Sequence, residues 1–421
     1  MSVLAEESDF IQSQVYKFSK TLGKRNDKIL YYDCTNYYFE IESESGIRKY
    51  GLSKENRPNP IVEMGLFMDG DGIPLAFCIH SGNTNEQKTL VPLEEQIIRD
   101  FGNAQFIVCT DSGLSSANNK RFNSRNERCF VTTQSIKKMN REQKEWALAP
   151  QKWKLCGSFG KLYNLDEILS DEGLTAAYHD SVFYKEEWFN EKGLEQKYIV
   201  TFSIKNRNYQ RAIRSQQLER AQNAMKSTKD IQRPRLTDYK RFIKAIPTTE
   251  SGEIADRKSY VLNEEILSEE ERYDGFYAVA TNLEDKPEDI IALNHRRWEI
   301  EECFRIMKNE FNARPVYVSR DDRIKAHFLT CYLALILYRY LEKRIGSKYT
   351  CPEIIATLRE MKFLRIPSEG YIPAYTRTKL TDDLHEHFGF WTDRRIISKG
   401  SMKKIIAQTK ERPKLLQNEK K

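Results

Sequence analysis

The chain has 421 residues, of which 39% are hydrophobic and 11% aromatic, and its net charge is +7. This is more chain than one hydrophobic core usually organises, so we expect a main domain with a second one inserted or appended, and the modest positive charge is compatible with nucleic acid without indicating it. The sequence contains no run of about 18 apolar residues and no signal-peptide pattern, so we expect neither a membrane span nor export. Its eight cysteines are scattered through apolar stretches, which predicts buried thiols in a reducing cytoplasm.

The first predicted elements are a strand and a hairpin. Aromatic and β-preferring residues fill the stretch from Ile29 to Glu42, which predicts a strand with Asp33 inside it. After a polar loop, two apolar runs, Ile61 to Met68 and Ile73 to His80, flank an Asp-Gly-Asp-Gly segment. Asp-Gly supplies the positive φ angles of a tight hairpin, so we interpret the two aspartates as turn residues, although they could also be metal ligands.

A helix and two more strands follow. Asn85 to Phe101 has apolar residues at helical spacing, and it leads into a short apolar run, Ala104 to Thr110, that predicts a buried strand ending at Asp111. Arg128 to Gln134 predicts another strand of the same sheet. The predicted order is therefore βββαβ plus one strand, which is an α/β (α+β) fold with Asp33 inside its first strand and Asp111 just past its fourth.

The pattern changes between residues 135 and 287. This part is charged, contains many aromatic residues and is interrupted, with strand-like pieces at Lys197 to Ile204 and Gly275 to Thr281. A strongly charged helical piece, Tyr209 to Lys226, lies between them. We interpret this part as an insertion with its own small sheet.

The remaining chain is predicted to be helical. Asp289 to Phe311 and Arg323 to Arg344 have the apolar spacing of two long helices. The lysine-rich tail after about Ser398 has few large apolar residues, so we expect it to fray or to lie against acidic partners. The predicted segments are an N-terminal helix (1–28), a core in two parts (29–134 and 288–345), an insertion (135–287), a C-terminal helical segment (346–397) and a basic tail (398–421).

The segment from Asn294 to Phe311 is the most informative. On one continuous helix with about 100° per residue, five polar residues would lie within roughly 40° of one direction. They are Asn294, Arg297, Glu301, Arg305 and Lys308. A neighbouring apolar stripe would pack the helix on a sheet and leave Glu301 at its rim. The simpler interpretation is an amphipathic helix in which Glu301 forms ordinary i, i+4 ion pairs with Arg297 and Arg305.

Three acidic residues combine into one predicted site. A βββαβ sheet would bring Asp33 and Asp111 side by side at neighbouring strands, and the later helix would deliver Glu301 as a third carboxylate. Such carboxylates repel one another unless divalent cations neutralise them. Hard oxygen ligands without histidine or cysteine favour magnesium over zinc. The sequence therefore predicts a Mg²⁺ site, with Mn²⁺ as a substitute ion, at these three residues.

The helical motif resembles a signature of the DDE transposases of bacterial insertion sequences, in the insertion-sequence 4 superfamily (insertion-sequence 1634-like members). That signature is Y-x-x-R-x-x-x-E followed by a lysine. Here it reads Asn294-x-x-Arg297-x-x-x-Glu301 and then Lys308. Asn294 replaces the tyrosine of the family.

The first two acids also lie in segments that are similar to those of the family. Asp33-Cys34-Thr35 is similar to its D-x-T motif, and Asp111-Ser112-Gly113 is similar to its D-x-G motif. Gly51 to Leu90 is similar to the family's usual lead from the first acid to the second. The resemblance covers roughly Ile29 to Arg344, and its specificity comes from three motifs in the right order and spacing.

The resemblance implies a ribonuclease H-like catalytic domain with a β-rich insertion between the second and third acids. It implies DNA cleavage and strand transfer by two metal ions, which Asp33 and Asp111 share while Glu301 completes the second metal site. Arg297 and Lys308 would grip phosphates. It also implies double-stranded DNA as the partner (element ends and target), a homodimer assembled on DNA, and a place at the bacterial nucleoid.

Other polar and aromatic residues receive weaker interpretations. Trp298 could stack on a displaced base, although a helical tryptophan more often fills a core. Arg305 and Asn294 would add contacts with DNA. His385 and His387 lie near the end of the chain without a third ligand at a suitable spacing, so we predict no metal site there.

Three hypotheses about activity stay open. Members of the family carry a sizeable end-binding region before the first acid, and only 32 residues precede Asp33 here, so we expect a short or truncated member. It could be an active transposase, or an inactive or inhibitory remnant that binds DNA or a full-length relative. The third hypothesis is a carboxylate-pair hydrolase such as a glycosidase, which leaves Arg297, Arg305 and Lys308 unexplained.

Overall fold

The chain forms two units, and the second unit interrupts the sequence of the first. The computed structural model describes residues 1–158, 160–226, 238–248 and 257–408. The first unit combines Met1–Phe130 with His295–Lys421, and the second unit is Val131–Asn294. The residues of the predicted insertion, 135–287, belong to the second unit. Within the described ranges, no helix combines the length and the apolar character that crossing a membrane requires.

The N-terminal half of the first unit has the predicted order of three strands, a helix and a fourth strand. Its elements are α1 (Ser2–Glu6), α2 (Ser8–Ser19), β1 (Ile29–Tyr38), β2 (Ile61–Asp69), β3 (Pro74–Ser81), α3 (Leu90–Gln96), β4 (Ile107–Thr110) and α4 (Ala117–Phe122). Short turns of 3₁₀ helix at Glu86–Lys88 and of π-helix at Ile97–Phe101 lie on either side of α3. The predicted βββαβ order is confirmed.

These four strands form a mixed sheet in the order β3-β2-β1-β4. β2 is antiparallel to both β1 and β3, whereas β1 and β4 are parallel, with Ile29 opposite Ile107 and Tyr31 opposite Cys109. A parallel pair needs a crossover connection, which the segment with α3 provides. Every residue of β2 is buried, as expected for a strand whose sheet is covered on both faces. The fold is therefore mixed α/β around a mixed sheet.

Asp69 holds the turn between β2 and β3. Its fully buried carboxylate accepts hydrogen bonds from the backbone amides of Asp71 (3.0 Å) and Ile73 (2.9 Å). It also pairs with Arg25 at 2.6 Å. Gly72 has a φ of +77°, which residues with a side chain rarely adopt. The turn interpretation of this Asp-Gly segment is confirmed.

The second unit contains an antiparallel sheet and a separate two-stranded sheet. Its elements are β5 (Cys129–Thr133, which begins in the first unit), α5 (Arg141–Leu148), β6 (Lys154–Leu155), α6 (Leu165–Ser170), α7 (Glu172–Ala177), β7 (Phe183–Glu191), β8 (Leu194–Phe202), α8 (Ile204–Met225), β9 (Ile243–Thr248), β10 (Arg257–Leu262), α9 (Glu264–Glu271), β11 (Phe276–Thr281) and α10 (Pro287–His295). β11 pairs with β5 and β8, β7 pairs with β8 and β6, and β9 pairs with β10. The predicted pieces in this part are confirmed as β8, α8 and β11.

The C-terminal half of the first unit returns to helices. Its elements are α11 (Trp298–Arg305), a π-helical turn (Ile306–Glu310), α12 (Asp321–Ile345), α13 (Cys351–Glu360), β12 (Phe363–Ile366), β13 (Gly370–Pro373), α14 (Lys379–Phe388) and α15 (Lys399–Gln408). α12 confirms the second long helix. The beginning of the predicted basic tail is helical as α15, and residues 409–421 lie outside the described residues.

The prediction of one unbroken helix over residues 289–311 is wrong. α10 ends at His295 and α11 begins at Trp298, so Arg296 and Arg297 form a turn between two helices. A π-helical turn then replaces the last α-helical turn. The predicted polar face is therefore interrupted between Asn294, on α10, and Glu301, on α11. Glu301, Arg305 and Lys308 still line one cleft.

Candidate active site

Asp33, within β1, and Asp111, directly after β4, occupy equivalent positions relative to the pairing of these two parallel strands. The last residues that pair between β1 and β4 are Tyr31 and Cys109, and each aspartate follows its paired residue by two positions. Burial raises the pKa of Asp33 to about 6, and the negative charge of Asp111 adds to this rise. The two carboxylates are therefore near enough to repel each other.

The backbone that follows Asp111 fixes its carboxylate. Asp111 caps the N-terminus of a single 3₁₀ turn, Ser112–Leu114. Its Oδ1 accepts hydrogen bonds from the amides of Gly113 (3.0 Å) and Leu114 (3.2 Å). A Cβ atom at position 113 would stand 3.2 Å from the same oxygen, closer than usual contacts. A glycine two residues after the acid thus lets the turn fold tightly around it.

Glu301 lies on α11 and faces solvent. Its side chain is 62% exposed and its Oε1 lies 3.8 Å from Nη2 of Arg297. The buried residues Ile300, Cys303 and Phe304 anchor this helix, and they leave Glu301 on the open side. The charge of Arg297 also acts on Asp33, where it opposes the rise in pKa. Arg297 therefore links the two acids electrostatically.

Asp33 and Glu301 line one cleft of about 320 Å³. The charged residues around it are Asp33, Lys54, Glu301, Arg305, Lys308 and Arg314. Asp111 is not among the residues that line this cleft. Its negative charge acts on Asp33, which does line it. The cleft thus combines carboxylates with an excess of cations, an arrangement that suits both a divalent metal ion and a phosphate group.

Lys308 connects the segment of Glu301 with the strand of Asp33. Its Nζ donates a hydrogen bond to Oγ1 of Thr35 at 2.7 Å and lies 3.5 Å from Oε1 of Glu55. The side chain is only 12% exposed, and burial lowers its pKa. Its position is therefore fixed by contacts on several sides.

Lys54 is a charged residue of the cleft to which the sequence assigned no role. Its Nζ donates a hydrogen bond to the carbonyl oxygen of Cys34 and forms an ion pair with Glu86 at 2.9 Å. Its charge also opposes the rise in the pKa of Asp33 that burial causes. The lysine lies in the segment between the first and second acids, but only the folded chain brings it beside Asp33.

The carboxyl group of Glu63 lies close to Lys54. Burial raises the pKa of Glu63, and the charge of Glu86 adds to this rise while Lys54 opposes it. Glu63 is opposite Asn36 in the β1–β2 pairing. The carboxyl groups of Glu63 and Glu86 thus lie beside Lys54, and their attraction holds its ammonium group in place.

The other predicted contact residues are in different environments. Asn294 belongs to α10, is 7% exposed and donates a hydrogen bond to the hydroxyl of Tyr277 at 3.1 Å. Arg305 pairs with Glu302, with Nε at 2.8 Å, rather than with Glu301. Trp298 is 55% exposed, so it does not fill a core.

A comparison with protein families identifies a matching family over part of the chain. The model of the family described as the transposase DDE domain matches residues 160–337. This range includes Arg297, Glu301 and Lys308, excludes Asp33 and Asp111, and covers less than half of the chain. The match supports a DDE transposase.

Comparisons with individual proteins add little. No curated protein matches this chain. Among solved structures, the chain is similar to one described as the cryo-EM structure of the piggyBac transposase synaptic complex with hairpin DNA, with 8% identity and a TM-score of 0.36. The similarity covers 92% of this chain and 55% of that one. A likeness at this level is too weak to carry a conclusion about the fold.

Proposed function

We propose that this chain is a DDE transposase of the insertion-sequence 4 superfamily, with a ribonuclease H-like core that cleaves DNA and transfers the cut strand at Asp33, Asp111 and Glu301. The match to the transposase DDE domain supports the class of enzyme. The observation that carries the choice of residues is the equivalent placement of Asp33 and Asp111 on parallel strands, with Asp33 and Glu301 in one cleft.

The three acids fit hard divalent cations. Their donor atoms are carboxylate oxygens, which Mg²⁺ and Mn²⁺ prefer. Burial is the main cause of the raised pKa of Asp33, and the negative charge of Asp111 adds to it. A cation between the two carboxylates would remove their repulsion. Asp33 and Asp111 would share the ions, and Glu301 would complete the second metal site.

The chain's own residues have distinct roles in this mechanism. When bound, the ions would activate the attacking oxygen and stabilise the leaving one. Lys308, held by Thr35, and Arg297, beside Glu301, would bind phosphate oxygens of the strand that is cut. The accessible indole of Trp298 would stack on a base near the cut.

We propose double-stranded DNA as the partner, with the protein assembled on it as a homodimer. Arg305 is half exposed beside Glu302 and would contact the DNA backbone at the edge of the cleft. A direct contact between Asn294 and DNA would require its buried side chain to leave Tyr277.

Cleavage of a plasmid that carries the DNA flanking this coding sequence on both sides tests the proposal. With Mg²⁺ or Mn²⁺ we expect nicks with free 3′ hydroxyl ends, and with Ca²⁺ we expect binding without cleavage. Asp33→Asn, Asp111→Asn and Glu301→Gln should each abolish cleavage. Glu302→Gln, which changes the neighbouring carboxylate outside the cleft, is the matched control and should retain it.

Two results would reject the proposal. Nicking that persists in Asp33→Asn, Asp111→Asn or Glu301→Gln would place the chemistry elsewhere. DNA binding without cleavage under every metal condition, and without effect of these substitutions, would instead identify a non-catalytic remnant.

A further inference from the structure

Three possible metal ligands meet near the C-terminus, outside the cleft described above. Asp382 and His385 lie on α14, and Asp393 follows that helix. One ligand atom from each residue can be chosen so that all of them lie within 4.8 Å of one another. Gly389, the C-cap residue directly after α14, has a φ of +69°, and this turn brings Asp393 back toward the helix.

His385 is buried with one ring nitrogen unused. Its side chain is 1% exposed. Nε2 lies 2.8 Å from Oγ1 of Thr392 and 3.4 Å from the hydroxyl of Tyr375. Nδ1 has no hydrogen-bond partner in the described part of the chain, and it lies 3.9 Å from Oδ1 of Asp393. A buried polar atom without a partner destabilises the fold, so this nitrogen points to a ligand.

The contacts of His385 suit a metal-binding tautomer. If Nε2 carries the proton and donates it to Thr392, Nδ1 presents a lone pair toward the carboxylate of Asp393. Metal-binding histidines usually have their second nitrogen fixed by such a hydrogen bond. Burial lowers the pKa of His385, which favours the neutral ring that coordination requires.

Arg377 currently balances the two carboxylates. Its Nε lies 2.6 Å from Oδ1 of Asp382, and its Nη1 lies 3.5 Å from Oδ2 of Asp393. The arginine side chain is 67% exposed. Exposed ion pairs contribute little to stability, so this guanidinium can move into solvent when a cation binds.

We propose that Asp382, Asp393 and Nδ1 of His385 form a binding site for one divalent cation of the zinc class. One neutral imidazole and two carboxylates suit Zn²⁺ or Mn²⁺ better than Mg²⁺. Ligand atoms that share one zinc ion are roughly 3–3.5 Å apart. Side-chain rotations that move the carboxylate oxygens by about an ångström would therefore bring the three ligand atoms close enough to bind one ion. The bound ion would fasten the segment after α14 to that helix.

The sequence predicted no metal site at His385 and His387, and the inferred site differs from that prediction in two ways. The third ligand lies beyond the end of the helix, at Asp393, and no spacing rule indicates it. His387 takes no part because it is exposed on the other side of α14.

Zinc binding by the full chain tests the proposal. The test uses a chain with Asp33→Asn, Asp111→Asn and Glu301→Gln combined, so that the proposed active site does not contribute. After incubation with Zn²⁺ and gel filtration, elemental analysis should find one zinc per chain. Zn²⁺ titration should show affinity at least about tenfold weaker in Asp393→Asn and in Asp382→Asn. His387→Gln should bind like the parent.

Further variants separate loss of the ligand from loss of the fold. His385→Gln changes a fully buried residue, so the more accessible Asp393 and Asp382 variants carry the conclusion, with circular dichroism to verify their fold. Arg377→Gln should tighten Zn²⁺ binding, because it removes the competing positive charge. Zinc-free protein after incubation, or equal zinc affinity in folded Asp393→Asn, would overturn the proposal.

Discussion

The ammonium group of Lys308 lies 2.7 Å from the hydroxyl of Thr35, and Thr35 follows Asp33 by two residues in β1. This contact joins the helical segment that carries Glu301 to the strand that carries Asp33. The two acids are far apart in the sequence, so their relative position depends on contacts of this kind.

Removal of the Thr35 hydroxyl should loosen this connection. We expect Thr35→Val to lower the free energy of unfolding by about 1–2 kcal/mol, because a largely buried ammonium group loses a hydrogen bond, and to slow DNA cleavage. Thr35→Ser keeps the hydroxyl and should behave like the wild type. Urea denaturation and the plasmid assay measure both effects, and wild-type values for Thr35→Val would show that the contact is unimportant.

Lys54 should affect metal and DNA binding in opposite directions. Lys54→Met removes a cation close to Asp33, so Mn²⁺ should bind about fivefold more tightly, since one neighbouring charge contributes on the order of 1 kcal/mol. The same change should weaken DNA binding. It should also reduce the slope of the logarithm of the binding constant against the logarithm of the salt concentration by about 1, the value for one phosphate contact. Lys49→Met, outside the cleft and beside Glu44, is the control. Weaker binding of both ligands in Lys54→Met would contradict this role.

Glu94 should make the stability of the protein depend on pH. Its fully buried carboxyl has a pKa raised to about 8 by burial, while the hydrogen bond from Asn123 opposes the rise. The folded state therefore retains a proton that the unfolded state loses above its ordinary pKa, so stability falls as the pH rises toward 8, by at most about 1.4 kcal/mol per pH unit.

Glu94→Gln tests this dependence because it removes the titration. The difference in unfolding free energy between the variant and the wild type should shift in favour of the variant from pH 5 to pH 8. Chemical denaturation at several pH values measures it. If the unfolding free energies of the two proteins changed with pH in parallel, Glu94 would not hold a proton in the folded state.

Asp69 should matter for folding and not for metal binding. Asp69→Asn breaks its buried ion pair with Arg25, and the uncompensated charge should cost about 3–5 kcal/mol. Asp71→Asn, in the same turn but less buried, should cost clearly less. Thermal unfolding compares the variants. A loss of Mn²⁺ affinity in folded Asp69→Asn would favour the metal-ligand interpretation of this turn instead.

The sequence predicts best those features that depend on local patterns. Aromatic and apolar runs indicate β1 to β4, and the Asp-Gly turn indicates the β2–β3 hairpin, because these patterns reflect burial and turn geometry directly. β7 is not predicted, because the charged residues of its second half are partly or fully exposed and hide the strand pattern.

Other features depend on tertiary contacts and have no local signal. The turn at Arg296 and Arg297 contains neither glycine nor proline, so the sequence reads as one helix. Lys54 comes beside Asp33 only through the β1–β2 connection. Asp393 reaches His385 only after the chain has turned at the end of α14.

Binding of Mn²⁺ at the three acids tests the central claim most directly. Electron paramagnetic resonance titrations would use an Asp393→Asn background, which removes any contribution from the C-terminal cluster. We expect this protein to bind Mn²⁺ and Asp33→Asn, Asp111→Asn and Glu301→Gln each to weaken binding at least about tenfold, while Glu302→Gln should not. Unchanged Mn²⁺ affinity in any one of the three substitutions would contradict a shared metal site.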